Sequence, residues 1–157
     1  MNEEVNAGSL TDEEARCLDV LQRLLATLPD GIATLDVNRH PSGLICRLIP
    51  ANKISAEFGI HYDVCVDVFF GNFGTTFEVD FGYKSANPDF VAALSFVEKI
   101  GQAVISGKCK ERAGFAGIRG TVEVDGKPYR VTHFFHPRLF PKTIDYAPYS
   151  PDLPIAE

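Results

Sequence analysis

The stretch HYDVCVDVFFGNFGTTFEVDF, residues 61–81, decides the fold because apolar and polar side chains alternate along it on both sides of a glycine-containing turn. Alternation with a period of two is typical of a β-strand that has one buried and one solvated face. We therefore predict a hairpin with Asn72 and Phe73 at its turn. The side chains expected to face a core are Ile60, Tyr62, Val64, Val66, Val68, Phe70, Phe77, Val79 and Phe81.

The polar side of this hairpin carries carboxylates and no cation. The carboxylates are those of Asp63, Asp67, Glu78 and Asp80. With the turn centred on residues 72–73, the pairing places Asp67 directly opposite Glu78. Like charges in opposite positions destabilise a sheet by a few tenths of a kcal/mol up to about 1 kcal/mol. Something outside the hairpin is therefore expected to offset this cost.

Three sources of compensation are consistent with the sequence: other strands of the chain, solvation and a partner. The segment 108–142 has eight Lys or Arg against three acids, so Arg119 or Arg130 could lie beside the carboxylates on the same sheet, or solvation alone could suffice. Alternatively, a basic protein partner supplies the countercharge, and complementary charge speeds encounter and fixes orientation. Phe69 on the same side and Phe73 at the turn would then provide apolar anchors.

The rest of the chain predicts two helices and further strands. Thr11 and Glu14 form a capping box at the start of the first helix, and Asn87 followed by Pro88 starts the second. Strands are predicted at residues 32–37 and 44–49, and Asp125-Gly126 predicts a late hairpin. The fold class is α+β, with two layers. A mostly antiparallel sheet of about six strands, in the order helix-β-β-β-β-helix-β-β, carries both helices on one face.

Length and composition set the organisation. Residues 1–136 are expected to form a single domain, with residues 137–157 as a proline-rich, extended tail packed on it. The N-terminus is acidic, no segment approaches the ~20 apolar residues of a membrane span, and the four cysteines have no C-x-x-C pair. We expect reduced thiols, a cytoplasmic location and no membrane partner. A net charge of −6 disfavours nucleic acid as a partner.

Catalytic and metal sites are not indicated. His61, Asp63, Cys65 and Asp67 alternate, but on one extended strand His61 and Asp67 would lie about 20 Å apart, so one ion cannot bind all four. Paired carboxylates on a wet sheet face lack the cleft that acid–base catalysis needs. Pairing Cys46 or Cys65 with His40 or His61 has no supporting local motif. We predict no cofactor, no metal and no enzyme activity.

The leading hypothesis is a small, acidic, non-catalytic binding protein. Its most concrete form is an immunity-type protein, an antitoxin that neutralises a basic toxin such as a nuclease. Two alternatives remain: a secretion chaperone for an effector protein, and a small hydrolase or ligand-binding domain with a pocket between sheet and helices. The predicted partner-binding residues are Asp63, Asp67, Glu78, Asp80, Phe69 and Phe73.

Overall fold

The computed structural model describes residues 10–79, 88–133 and 140–151. Their architecture confirms the α+β class, with both sheets antiparallel. The elements are α1 (Asp12–Ala26), β1 (Ala33–His40), β2 (Gly43–Pro50), β3 (Phe58–Tyr62), β4 (Val66–Phe70), β5 (Thr75–Val79), α2 (Pro88–Ile105), β6 (Cys109–Gly114), β7 (Gly117–Val124), β8 (Lys127–His133) and β9 (Lys142–Asp145). The strands described here number nine and form two sheets, whereas about six in one sheet were expected.

Sheet A contains β1 to β5 in sequence order, and both helices cover one of its faces. This inner face carries the apolar side chains that the alternation predicts. Those that are buried are Leu44, Cys46, Leu48, Phe58, Ile60, Val66, Val68 and Phe70. Buried side chains of α1 and α2 complete the same core. Neither of the two described helices covers the opposite face of sheet A.

The start of α1 confirms the predicted capping box. The Glu14 backbone N–H donates to Thr11 Oγ1 at 3.2 Å, and the Thr11 N–H donates to Glu14 Oε2 at 2.8 Å. Arg39, near the end of β1, also donates to both oxygens of the buried Glu14 carboxylate, each at 2.9 Å. These bonds lower the pKa of Glu14, with the Arg39 hydrogen bond as the largest cause. Asn87, the expected cap of the second helix, lies outside the described residues.

One feature of the expected hairpin is incorrect, because residues 60–70 do not form a single strand. The chain reverses at residues 63–65, between β3 and β4, where the Asp63 N–H donates to the Cys65 carbonyl at 3.2 Å. Val64, expected in the core, is therefore 64% exposed. A turn of three residues preserves the period of two, so even-numbered residues face the core on both sides of it. Periodicity by itself cannot reveal such a turn.

Sheet B has the strand order β8-β7-β6-β9 and is separate from sheet A. Its inner face contacts α2, where Phe96 and Tyr129 meet edge to face with ring centroids 5.1 Å apart. β9 comes from the segment expected to be an extended tail, and it pairs with β6. Beyond β9, Tyr146 and Tyr149 are buried, and the Tyr149 hydroxyl donates to the Ala56 carbonyl at 2.8 Å.

A buried carboxylate joins the two sheets. Glu111 of β6 is 0% exposed, and its oxygens lie against the turn between β4 and β5. It accepts hydrogen bonds from the Phe73 N–H at 2.9 Å, the Thr75 N–H at 3.0 Å, the Thr75 hydroxyl at 2.6 Å and the Tyr146 hydroxyl at 2.5 Å. The Asn72 N–H in turn donates to the Tyr146 hydroxyl at 2.6 Å. A buried acid is tolerated here because four donors replace its water.

The outer edge of β5 lies against the inner face of sheet B. The Thr76 N–H donates to His133 Nε2 at 3.1 Å, which gives that half-buried histidine a structural partner. Thr75 sits directly over Gly120 of β7, where an added Cβ would lie 2.0 Å from Thr75 Cγ2. Only glycine permits this approach, so Gly120 lets the two sheets meet.

Candidate partner-binding surface

The outward side of β3, β4 and β5 carries the predicted carboxylates. Asp67 pairs with Glu78 across β4 and β5, which confirms the expected register, and His61 of β3 lies on the other side of Asp67. Asp63 is exposed at the turn between β3 and β4. We call this outward side, with Asp63, Asp67 and Glu78, the acidic face. Asp80, also predicted to belong to it, lies outside the described residues.

The acidic face has no basic side chain to neutralise it among the residues that the structure describes. Within those ranges, no Lys or Arg lies within ion-pair distance of its three carboxylates; the arginines that do form ion pairs are Arg23, Arg39 and Arg47, and their partners lie elsewhere. Arg119 and Arg130, expected beside the carboxylates, belong to sheet B instead. Arg119 lies on β7, which pairs with β6, and Arg130 lies on β8, which pairs with β7. The apolar sides of these strands face α2 and the edge of β5. That expectation is therefore corrected.

His61 is the nearest group that can carry positive charge to this face. Its Nδ1 lies 3.6 Å from Asp67 Oδ2, and its Nε2 lies 2.8 Å from the Ser42 carbonyl oxygen. The expected separation of about 20 Å between His61 and Asp67 is thus wrong, since the turn at residues 63–65 brings them face to face. His61 thus lies between the Ser42 carbonyl oxygen and Asp67, and a protonated His61 would offset part of the Asp67–Glu78 repulsion.

Ser42, His61 and Asp67 have the composition of a hydrolytic triad but not its geometry. A catalytic histidine must offer a lone pair to the serine hydroxyl. Here His61 Nε2 points to the Ser42 carbonyl at 2.8 Å, and the Ser42 hydroxyl is farther away, at 3.4 Å. That hydroxyl instead lies 2.7 Å from His40 Nδ1. The contacts therefore fix the turn between β1 and β2 and orient His61.

A metal site does not form around these residues. Across the three described ranges, no group of three His, Cys, Asp or Glu side chains is close enough to hold an ion. His61 and Asp67 approach each other, but no third ligand joins them among the described residues. The described part of the acidic face therefore offers charge and hydrogen-bond acceptors, and not a coordination sphere.

The two predicted aromatic anchors are both half-buried. The Phe69 ring lies over Gly59 of β3, where an added Cβ would be only 2.2 Å from Phe69 Cζ. The ring is thus held flat on the sheet, next to the row that contains Asp67 and Glu78. Phe73 lies at the turn, and its backbone N–H is held by Glu111. Phe69 presents a fixed apolar surface beside the acids, and the position of Phe73 is set by sheet B.

Cys65 reports the negative potential of the acidic face. It is the half-buried one of the four free cysteines, and the other three are buried. Burial raises the pKa of its thiol, and the carboxylates of Asp67, Glu78 and Asp63 raise it further. A negative charge is therefore disfavoured at this position, as is expected beside three carboxylates that no described Lys or Arg neutralises.

Sequence reasoning did not find the counterpart of this surface, an outward face of sheet B that carries arginines. The signal was present, because Lys110 and Arg112 alternate with the buried Cys109, Glu111 and Ala113. The sequence pattern alone is equally consistent with basic strands that lie beside the carboxylates in one sheet. The same alternation places Glu111 on the buried side of β6. The sequence could therefore have indicated that this carboxylate is buried.

The chain has no significant match among protein-family models, curated proteins or solved structures. None of the helices in the described ranges combines the length and apolar character needed to cross a bilayer. The fold class and the surfaces described above are therefore the basis for a functional proposal.

Proposed function

We propose that this chain is a non-catalytic binding protein whose acidic face docks on a basic surface of another protein. The observation that carries the proposal is the Asp67–Glu78 pair, two carboxylates in opposite positions with no described lysine or arginine within ion-pair distance. A partner that brings cations to this pair removes a repulsion that folding leaves in place. Charge complementarity would also raise the rate of encounter.

The surrounding surface suits such docking. The acidic face is an outward sheet surface that neither described helix covers, and the other side of its strands packs on the core. Phe69 offers a half-buried ring that is already ordered by Gly59, so little side-chain entropy is lost on contact. Rigid aromatic groups beside complementary charges are the residues that usually dominate binding energy.

The most concrete form of the proposal is an immunity-type protein that covers the basic site of a toxin such as a nuclease. Nucleases bind a polyanion and therefore present positive surfaces, to which an acidic sheet face is complementary. The net charge of −6 favours the same class of partner. We place this function in the cytoplasm, where the four free cysteines would stay reduced.

The test is a comparison of two charge-neutral double variants against the partner recovered from the native host. Asp67→Asn with Glu78→Gln removes the central pair, and Asp30→Asn with Glu123→Gln removes two exposed acids elsewhere. We expect the first variant to weaken the Kd about tenfold or more, because each lost charge contact contributes on the order of 1 kcal/mol. The second should change it less than about twofold.

Titration calorimetry at two salt concentrations measures both effects, and affinity for the wild type should fall as salt rises. For the immunity version, the captured protein should be a toxin whose activity the chain inhibits. Equal affinities of the two double variants, or a captured partner with an acidic contact surface, would refute the docking proposal.

A further inference from the structure

The outward face of sheet B is basic, in contrast to that of sheet A. Its cations are Lys110, Arg112, Arg119 and Arg130, and all four are exposed. They lie in two neighbouring rows across the strands. One row holds Arg112 and Arg119 between Thr143 and Thr132, and the other holds Lys110 between Asp145 and Thr121, with Arg130 beyond. Two residues along a strand separate the rows, a distance of about 7 Å.

Arg112 and Arg119 occupy directly opposite positions on β6 and β7. They repeat, with the opposite sign, the arrangement of Asp67 and Glu78. Lys110 faces an acid, Asp145, in its own row, whereas the cross-strand neighbours of the two arginines are threonines. Within the described residues, no carboxylate lies within ion-pair distance of either arginine. Two arginines thus occupy opposite positions with no described carboxylate within ion-pair distance, at a cost to the sheet.

A cleft of about 350 Å³ lies at these arginines. Arg112, Arg119 and Thr132 line it with donors, while Phe115 and Pro141 line it with apolar surface. Phe115 belongs to the turn between β6 and β7 and is 79% exposed, so burial in the core does not explain its presence. The volume falls in the range of pockets that hold small ligands.

We propose that this cleft binds a nucleotide unit, with the phosphate between Arg112 and Arg119 and the base stacked on Phe115. The planar guanidinium fork matches phosphate oxygens in two-point hydrogen bonds, and two such forks from adjacent strands converge on one anion. An exposed aromatic ring next to a basic groove is the usual platform for an unpaired base. The Thr132 hydroxyl supplies a further hydrogen-bonding group to phosphate or sugar.

The proposed ligand chemistry has two possible sources, a free mononucleotide and a nucleotide within a single strand. The net charge of −6 opposes long-range attraction of a polyanion, so recognition here depends on short-range contacts and is strongest at low salt. The cleft lies on sheet B, whereas the acidic face belongs to sheet A. Its failure would leave the proposed docking function untouched.

The experiment measures binding of four probes to the full chain at about 50 mM salt. The probes are inorganic phosphate, adenosine monophosphate, a fluorescein-labelled pentathymidylate and a labelled decaglutamate peptide. Arg112→Gln with Arg119→Gln should weaken binding of both nucleotide probes about tenfold or more. Phe115→Ala should weaken binding of both nucleotide probes about threefold or more and leave phosphate binding unchanged. Phe115→Trp should restore the affinity for both nucleotide probes.

The control removes two exposed cations that do not line the cleft, through Arg16→Gln with Lys53→Gln. It should change each affinity less than about twofold if the site is specific. Thermal unfolding should show that Arg112→Gln with Arg119→Gln folds as well as the wild type or better, because a repulsion is removed. Comparison of the two nucleotide probes then distinguishes the sources, since a single strand should bind more tightly only if it contacts the second row of cations.

The proposal fails if the control variant loses as much affinity as the arginine variant, because binding would then follow net charge. It also fails if decaglutamate binds as tightly as the pentathymidylate and Phe115→Ala affects neither, since the face would then recognise an acidic protein. Absence of measurable binding by either nucleotide probe would refute it directly.

Discussion

The hairpin of β4 and β5 has carboxylates near its turn and on its outward side, and only the one at the turn is fully hydrogen-bonded by the protein. Beneath its turn, Glu111 is completely buried and accepts four hydrogen bonds. On its outward side, Asp67 and Glu78 face each other, and His61 at 3.6 Å is the nearest group able to carry positive charge. The contrast teaches that the chain can satisfy a carboxylate fully where the fold depends on it. The Asp67–Glu78 pair, which no described Lys or Arg neutralises, is therefore the better candidate for a role outside folding.

The largest effect should come from Glu111→Ala. Its removal leaves two backbone N–H groups and two hydroxyls without their acceptor in a buried place, and each such group costs about 1–3 kcal/mol. We expect the free energy of unfolding to fall by about 3 kcal/mol or more, measured by urea denaturation. Glu111→Gln, which keeps one oxygen acceptor, should cost less. If the free energy of unfolding fell by no more than it does for an ordinary surface substitution, Glu111 would not be the residue that holds the turn between β4 and β5.

A smaller effect on stability concerns Glu14, whose buried carboxylate forms an ion pair with Arg39. Its pKa is lowered from the ordinary 4.5, mainly by the Arg39 hydrogen bond. The bonded carboxylate therefore stabilises the fold above pH 4.5, and this contribution is lost as the pH falls through the folded-state pKa. Arg39→Gln should lower stability at pH 7 and weaken the decline on acidification.

Chemical denaturation from pH 7 down to about pH 3 measures this difference. Arg47→Gln is the matched control, since it breaks the half-exposed ion pair with Asp36 and should change stability little at any pH. If Arg39→Gln and Arg47→Gln changed the free energy of unfolding equally at every pH, the Glu14–Arg39 contact would be as weak as a surface ion pair. Buried and exposed carboxylates would then differ less in their contribution to stability.

The smallest effect on stability should come from Asp67→Asn with Glu78→Gln. Removal of the repulsion should leave the free energy of unfolding unchanged or raise it by at most about 1 kcal/mol. The same variant should lower the pKa of Cys65 towards its ordinary value, though burial still keeps it raised. Alkylation of Cys65 by iodoacetamide near pH 8.5, followed by peptide mass spectrometry, should therefore be faster. A marked loss of stability would instead make the pair structural.

Local features of this fold were predictable and distant ones were not. The capping box of Thr11 and Glu14 and the register of Asp67 with Glu78 follow from residues a few positions apart or joined by one short turn. The turn at residues 63–65 was missed because it has neither glycine nor proline and preserves the alternation. The candidate site was likewise predicted in part. Its carboxylates were found, but the neighbour of Asp67, His61, was placed too far away.

The chain by itself determined two amphipathic helices, strands with one apolar side, and a hairpin with carboxylates on its polar side, because periodicity and turn chemistry act between near neighbours. Only the tertiary structure decided that the basic strands form a second sheet and that Glu111 is the buried link between the two. These outcomes depend on which apolar faces pack together and on donors that lie 35 to 38 residues from Glu111 along the chain. No local pattern encodes such contacts, so the acidic and basic faces came to lie on separate sheets through packing.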